Sequence, residues 1–482
     1  MRKMTVIRTP IIDALKKHQR QHPLSFHVPG HKNGDVSPIF LNEFKEILSY
    51  DVTELEGLDD LHDPSGPIAE SQQLCAQLYG AQETHFLVGG STSGNLAMIY
   101  GLCNAGDVVL VQRNCHQSVL NGLRLAQAKV VFLQPAFDQV TSHPVGLSTS
   151  VLKKAISQYP EAKVLLLTYP NYWGQTCDQT NVIRYAKEKG LLVLCDEAHG
   201  PHFVVGDERC PESTFALGAD VVVQSAHKML PALTMAAWMH VQKSVSVVQR
   251  TKLKAALTML QSSSPSYLLL ASLDGARAFL ESDGKRAYYE AVCTVEKVKQ
   301  QFLCHDGCQV VTSMKQGYLN DPLKVTIKTN ISQSGVVLAQ ELAKAGIWSE
   351  MADQDHVLLV FGLGQKIDEE LLGKRLQQVI WTGKNNQSFR PFIAGTVSAV
   401  SELIDMKKYV GCTVKVSLDY AQGRIVEQPV TPYPPGVPLL YPGEYVTAAM
   451  IKQLKQLMKA GVRFQGHHPQ DGLWVREVES EK

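Results

Sequence analysis

LLVLCDEAHGPHFVVGDERCPESTFALGADVVVQSAHK, residues 191–228, holds two short apolar runs, Leu191 to Cys195 and Val221 to Gln224, and each gives way at once to polar residues. Continuous Val- and Leu-rich runs of four or five residues, bounded by polar turns, read as strands buried on both faces. Asp196 follows the first run, in DEAHG. Ser225, His227 and Lys228 follow the second, in SAHK. A carboxylate and an amine are therefore expected at two strand ends.

Further runs of this kind stand on either side, at His85 to Val88, Val108 to Val111, Val130 to Leu133, Val164 to Leu167 and Ala237 to Val241. Between them, Ser93 to Cys103 and Asn181 to Lys189 have the mixed apolar and polar spacing of helices packed on a sheet. This alternation predicts an α/β fold with a mostly parallel central sheet and helices on both faces. At 482 residues the chain has room for about three domains. We expect an N-terminal arm over 1–40, a large domain over 41–275, a small α+β domain over 276–388 and a C-terminal domain over 389–482. The Pro-rich stretch Pro429 to Gly443 reads as a structured loop before a helix over Val446 to Ala460, since prolines exclude a strand centre or helix interior.

Composition narrows the function classes. The 47 basic and 46 acidic residues nearly cancel, so no overall basic field gathers nucleic acid or an anionic membrane surface. No apolar run approaches the ~18 residues of a membrane span, and the first ten residues lack the apolar core of a signal peptide. A cytoplasmic protein acting on a small molecule is the expectation. The ten cysteines form no CxxC pair, which suits reduced, buried thiols. Cys304, His305 and Cys308 lack further ligands at metal-binding spacing, so no metal is expected.

Ligands of an open parallel sheet bind beyond the carboxyl ends of its strands. After His85 to Val88 comes GGSTSGN, 89–95, a hydroxyl-rich turn opening a helix, whose free N–H groups suit a phosphate. After Val108 to Val111 comes QRNCHQS, 112–118, which puts His116 where an imidazole can stack on a flat ring. With Asp196 and Lys228 these make a phosphate cradle, a stacking partner, a carboxylate and an amine. Pyridoxal 5'-phosphate (PLP) needs those four: a cup for its phosphate, a platform for its ring, a carboxylate for its pyridine nitrogen and a lysine for the Schiff base.

SFHVPGHKNG (25–34), GLDDLHDPSGPIAE (57–70), GGSTSGN, RNCHQS, DEAHG, QSAHK, SSSPSYLLLASLD (262–274) and YPPGVPLLYPGE (433–444) resemble, in that order, segments of the class I ornithine/lysine/arginine decarboxylases. These are fold-type-I PLP enzymes, and the resemblance runs from about residue 4 to about residue 460, to the shorter form without an N-terminal wing domain. It implies that Lys228 holds PLP, Asp196 pairs with the pyridine nitrogen and His116 stacks on the ring. It further implies that Ser91, Thr92, Ser93, Ser225 and His227 line the phosphate, and that Ser262 reaches the phosphate of a neighbouring subunit in a homodimer or a dimer-based oligomer. The larger members carry a Trp three residues after the aspartate, where this chain has His199, which we count among the cofactor residues.

The implied reaction is decarboxylation of a basic amino acid, arginine or lysine before ornithine, in polyamine synthesis or acid resistance. The cofactor residues alone also suit an aminotransferase, an aldolase or a carbon–sulfur lyase of the same fold type. The extended resemblance at 262–274 and 433–444 favours decarboxylation. A non-catalytic regulator would tend to lose the lysine, and Lys228 is present. For the substrate's basic end the candidate partner is Glu444, held by the loop Pro434 to Pro442, although an acid is also favoured at the start of a helix. The acidic run Glu54 to Asp63 reads as a solvated face or as the border of the site entrance.

Overall fold

The structure, a computed structural model, describes residues 7–305, 307–312, 317–329, 333–381, 398–407, 409–433, 438–459 and 461–477. All seven predicted runs are strands of one sheet: β1 Glu83–Leu87, β2 Val108–Gln112, β3 Lys129–Leu133, β4 Val164–Thr168, β5 Leu192–Asp196, β6 Val221–Gln224 and β7 Ala237–Val241. They lie in the order β1-β7-β6-β5-β4-β2-β3, and the short strand Ile404–Asp405 adds an eighth at the β3 edge. From β3 to β6 the pairing is parallel. β7 runs antiparallel to both of its neighbours, so β1 points the same way as β6. The carboxyl ends of β1, β2, β4, β5 and β6 therefore open on one edge of the sheet.

Burial explains the strands' composition. Val109, Leu110, Val111, Leu165, Leu166, Val193, Leu194, Val222 and Val223 are all inaccessible to solvent, and the layers on the two sheet faces form separate apolar clusters. The helix Gly90–Leu102 crosses one face so closely that a Cβ on Gly94 would lie 2.6 Å from Leu87 Cδ1 and 2.8 Å from Val223 Cγ1. A larger residue there would lift the helix, and with it the N-terminus that opens at the site.

The helix Tyr267–Leu303 runs 37 residues without a break, through the position where the large domain was expected to end. It is capped by Ser266, whose hydroxyl accepts from the Leu269 N–H. Beyond it an antiparallel four-stranded sheet orders Cys308–Val311, Lys324–Thr329, His356–Val360 and Met351–Ala352. The C-terminal segment has its own apolar cluster around Leu440, Leu454 and Val475, and a helix over Ala448–Lys459. Of the loop Pro434 to Pro442, residues 434–437 lie outside the described residues. Among the described residues no helix is long and apolar enough to cross a membrane.

The acidic run is partly a structural device. Asp59 accepts the backbone N–H groups of Ser65, Gly66, Ile68 and Ala69 at 2.8 to 3.2 Å, closing the N-terminus of the helix Pro67–Tyr79. One carboxylate thus meets the open donors of Ile68 and Ala69 in the first turn and those of the two residues that lead into it.

Candidate active site

The open edge of the sheet forms one wall of a cavity of about 1520 Å³. Other walls come from Ser334 to Gln354 and from Pro432 to Gln465. Of the sequence-derived residues, Ser91, Thr92, His116, Asp196, His199, His227 and Lys228 all line this cavity.

Asp196 is the last residue of β5 and is buried. Its carboxylate accepts from Asn95 Nδ2 at 2.8 Å and from the Ala198 N–H at 3.2 Å. Asn95 also donates to Ser118 Oγ at 3.0 Å, which in turn meets His116 Nδ1 at 2.8 Å. The Ser118 N–H donates to that same Nδ1 at 3.2 Å, so the ring proton of a neutral His116 sits on Nε2. Burial holds the imidazole below its ordinary range against the raising field of Asp196, and any charge on Lys228 adds to the lowering. His116 is therefore an uncharged flat surface at neutral pH.

Lys228 lies on the short helix Ala226–Met229 that follows β6. Its Nζ stands 3.1 Å from His199 Nε2 and 5.6 Å from the centre of the Tyr172 ring. Burial lowers its pKa from the usual lysine value, against the raising fields of Asp196 and Glu350. His227 Nδ1 donates to the Ala236 carbonyl at 3.1 Å. Gly89, which precedes the helix Gly90–Leu102, supplies no side-chain cap, so the turn carrying Ser91 and Thr92 presents its backbone donors to the cavity. Thr168 Oγ1, at the end of β4, is buried without a partner among the described residues although Thr168 lines the cavity. An uncapped turn with open backbone donors, a flat neutral ring, an oriented carboxylate and a half-buried amine fit PLP, and the cavity leaves room for a substrate beside it.

Four sequence-derived residues sit elsewhere. Ser93 is buried, with its hydroxyl donating to the Gly90 carbonyl at 2.9 Å. Ser225 is buried, and its Oγ has no partner among the described residues. Ser262 is exposed, and its carbonyl meets His62 Nε2 at 2.8 Å. Glu444 is buried against Arg113 in a two-pronged ion pair of 2.6 and 2.8 Å, and also accepts from the Tyr441 N–H at 2.9 Å. Arg113 lies over the Phe132 and Tyr441 rings, and from this pair it is Arg113 that reaches the cavity.

Sequence reasoning missed Asn95, Ser118, Tyr172 and Lys324. Asn95 and Ser118 stand inside the quoted motifs and could have been found by asking what orients Asp196 and His116. Lys324 had no such signal. It comes from a different sheet, yet its Nζ donates to the Tyr172 carbonyl at 2.8 Å and lies 2.7 Å from His199 Nδ1.

Comparison with known proteins places the chain in a family. Residues 9–320 match the Orn/Lys/Arg decarboxylase major domain, and residues 397–478 match the C-terminal domain of the same family. The chain is 42% identical over 470 residues to the uncharacterized protein YaaO of Bacillus subtilis (strain 168), covering 96% of each. It is 30% identical over 492 residues to the arginine decarboxylase of that organism, covering 99% of each. Among solved structures it resembles the lysine decarboxylase LdcF of Francisella novicida, with a TM-score of 0.79 and 16% identity, covering 98% of this chain and 81% of that one.

Proposed function

The chain belongs to the Orn/Lys/Arg decarboxylase family, whose members are fold-type-I PLP decarboxylases of basic amino acids, and from that premise we propose that its substrate is arginine or lysine, converted to agmatine or cadaverine with release of CO2. The observation that carries the choice is similarity over the whole length. Relatives named arginine decarboxylase reach 30% identity and those named lysine decarboxylase 23 to 25%, which favours arginine. Either product is a polyamine or a precursor of one, so we assign the reaction to polyamine synthesis.

When bound, PLP supplies an electron sink for the pair released as the α-carboxylate leaves as CO2. In this reading Lys228 would hold the cofactor, Asp196 would pair with its ring nitrogen, His116 would contact the ring, and Ser91, Thr92 and His227 would take the phosphate. Asn95 and the Ala198 N–H fix the direction of the Asp196 carboxylate before anything binds. The neutral His116 adds a contact surface without a competing charge.

A substrate cation in this cavity needs an acidic partner. Since Glu444 is engaged by Arg113, we assign that role to Glu350, which accepts from Tyr172 Oη at 2.5 Å and whose field reaches both Lys228 and Lys324. Glu350→Gln is expected to raise KM for the best basic substrate about tenfold or more with kcat little changed. An unchanged KM would return the role to Glu444. The reaction itself is tested by incubating the PLP-loaded protein with labelled arginine, lysine and ornithine. Labelled CO2 and the matching amine support the proposal, whereas a keto acid or no turnover with any of the three rejects it.

A further inference from the structure

We propose that Lys324 is a positioning residue for Lys228: acting through His199, it holds the Lys228 amine in its uncharged, nucleophilic form. This rests on the reading that Lys228 carries the cofactor.

His199 is buried between two amines, with Nε2 3.1 Å from Lys228 Nζ and Nδ1 2.7 Å from Lys324 Nζ. Each contact needs one proton and one lone pair. A neutral imidazole has one N–H and one lone pair, so it can accept from an ammonium on one side only. With both hydrogen bonds in place, at most one of the two lysines is charged.

The structure assigns that charge to Lys324. Its Nζ has a second acceptor, the Tyr172 carbonyl at 2.8 Å, and the strand carrying it begins three residues after the buried carboxylate of Asp321. Lys228 Nζ has no second acceptor among the described residues. The proton of His199 then sits on Nε2 and is donated to the Lys228 lone pair. Burial works against a charge on both amines, lowering Lys228 and bringing Lys324 to about 7, so the choice rests on the second acceptor and on Asp321, which favours a charge on Lys324 while Glu350 favours one on either.

Other groups act on the two amines. Asp196 and Glu350 favour a charge on Lys228, His116 and His227 are its titratable neighbours, and the Tyr172 ring lies near both lysines. Asp321 is itself paired with His202 at 3.1 Å. The His199–Lys324 link thus works against two carboxylates. Space is kept for it, because a Cβ on Gly174 would lie 2.8 Å from Lys324 Cδ. An indole at position 199 has a donor and no acceptor nitrogen, so the Trp of the larger resembling enzymes could not join these two amines.

The test uses the cofactor-free protein. Lys228 is methylated with formaldehyde and cyanoborohydride across a pH series, and its labelling is read by mass spectrometry. In the parent, labelling should reach half its maximum well below the ordinary lysine range. Lys324→Met should move that point up by about one pH unit or more, a loss of about tenfold in labelling near neutral pH. Lys324→Arg, a permanent cation that still donates to Nδ1, should keep the parent's profile. His199→Phe, which breaks the link and leaves both lysines, should shift the profile upward, and it decides the matter if Lys324→Met does not fold. An unchanged profile in Lys324→Met or in His199→Phe overturns the proposal, as does a shift in Lys324→Arg as large as in Lys324→Met. Binding of PLP, seen as visible absorption, is scored separately, so a protein that labels as expected but never takes up PLP refutes the decarboxylase reading and leaves the link intact.

Discussion

Asp196→Asn keeps the shape of the site and the hydrogen bond from the Ala198 N–H while removing the negative charge. We expect PLP to stay bound, by its visible absorption, and kcat to fall about a hundredfold or more. Lys228→Ala should abolish that absorption. Glu444→Gln belongs with a different measurement. It leaves the buried Arg113 guanidinium without its counter-charge, so we expect a loss of about 3 kcal/mol or more in denaturant unfolding, while the KM of the surviving enzyme changes less than in Glu350→Gln. A Glu444→Gln protein as stable as the parent would contradict that account. Lys228, Asp196 and His116 could be placed at one edge of the sheet from the sequence because Asp196 ends an apolar run and the other two stand in the short polar segments that follow such runs. Lys324 was not, since a lysine opening an edge-like run reads as an ordinary solvated cation. The Arg113–Glu444 pair was equally hidden, as its partners stand 331 residues apart.

Among the elements, the helix Pro67–Tyr79 depends on Asp59, which lies ahead of it in a loop. Burial pushes this carboxyl up, but backbone N–H groups from Ser65, Asp60, Gly66 and Ala69 outweigh it and hold the group below its ordinary value. The stabilisation is present above the unfolded carboxylate value and disappears as pH falls through the lower folded one. Asp59→Ala should cost about 1 kcal/mol at neutral pH, and the gap between variant and parent should close in acid. A gap that stays constant with pH would show that the carboxylate's charge is not what caps the helix. The strands were legible because burial on both faces selects unbroken Val and Leu runs. The direction of β7 was not, since AWMHV looks alike in either orientation. Only its neighbours in the sheet decide it.

Taken as a whole, the chain leaves a row of apolar side chains in water along its N-terminal arm, with Phe26 93%, Leu24 85% and Ile39 83% exposed. A surface of that kind is costly for a monomer, and we propose that a second copy covers it. Ser262, exposed and away from this chain's own cavity, is then free to serve the partner. Mixing Lys228→Ala chains with Ser262→Ala chains should restore activity that neither has alone, and sedimentation should find no monomer at assay concentrations. Inactive mixtures would refute the shared site, and a fully active monomer would refute both. The cavity described above has walls drawn from residue 89 to residue 465. This orders the events of biosynthesis, because domains fold from the N-terminus as they emerge from the ribosome. Asp196 and Lys228 are synthesised before Ser334, Gln354 and Gln465, which line the other walls of the enclosure. Exclusion of water from these two residues therefore waits for segments made later than they are.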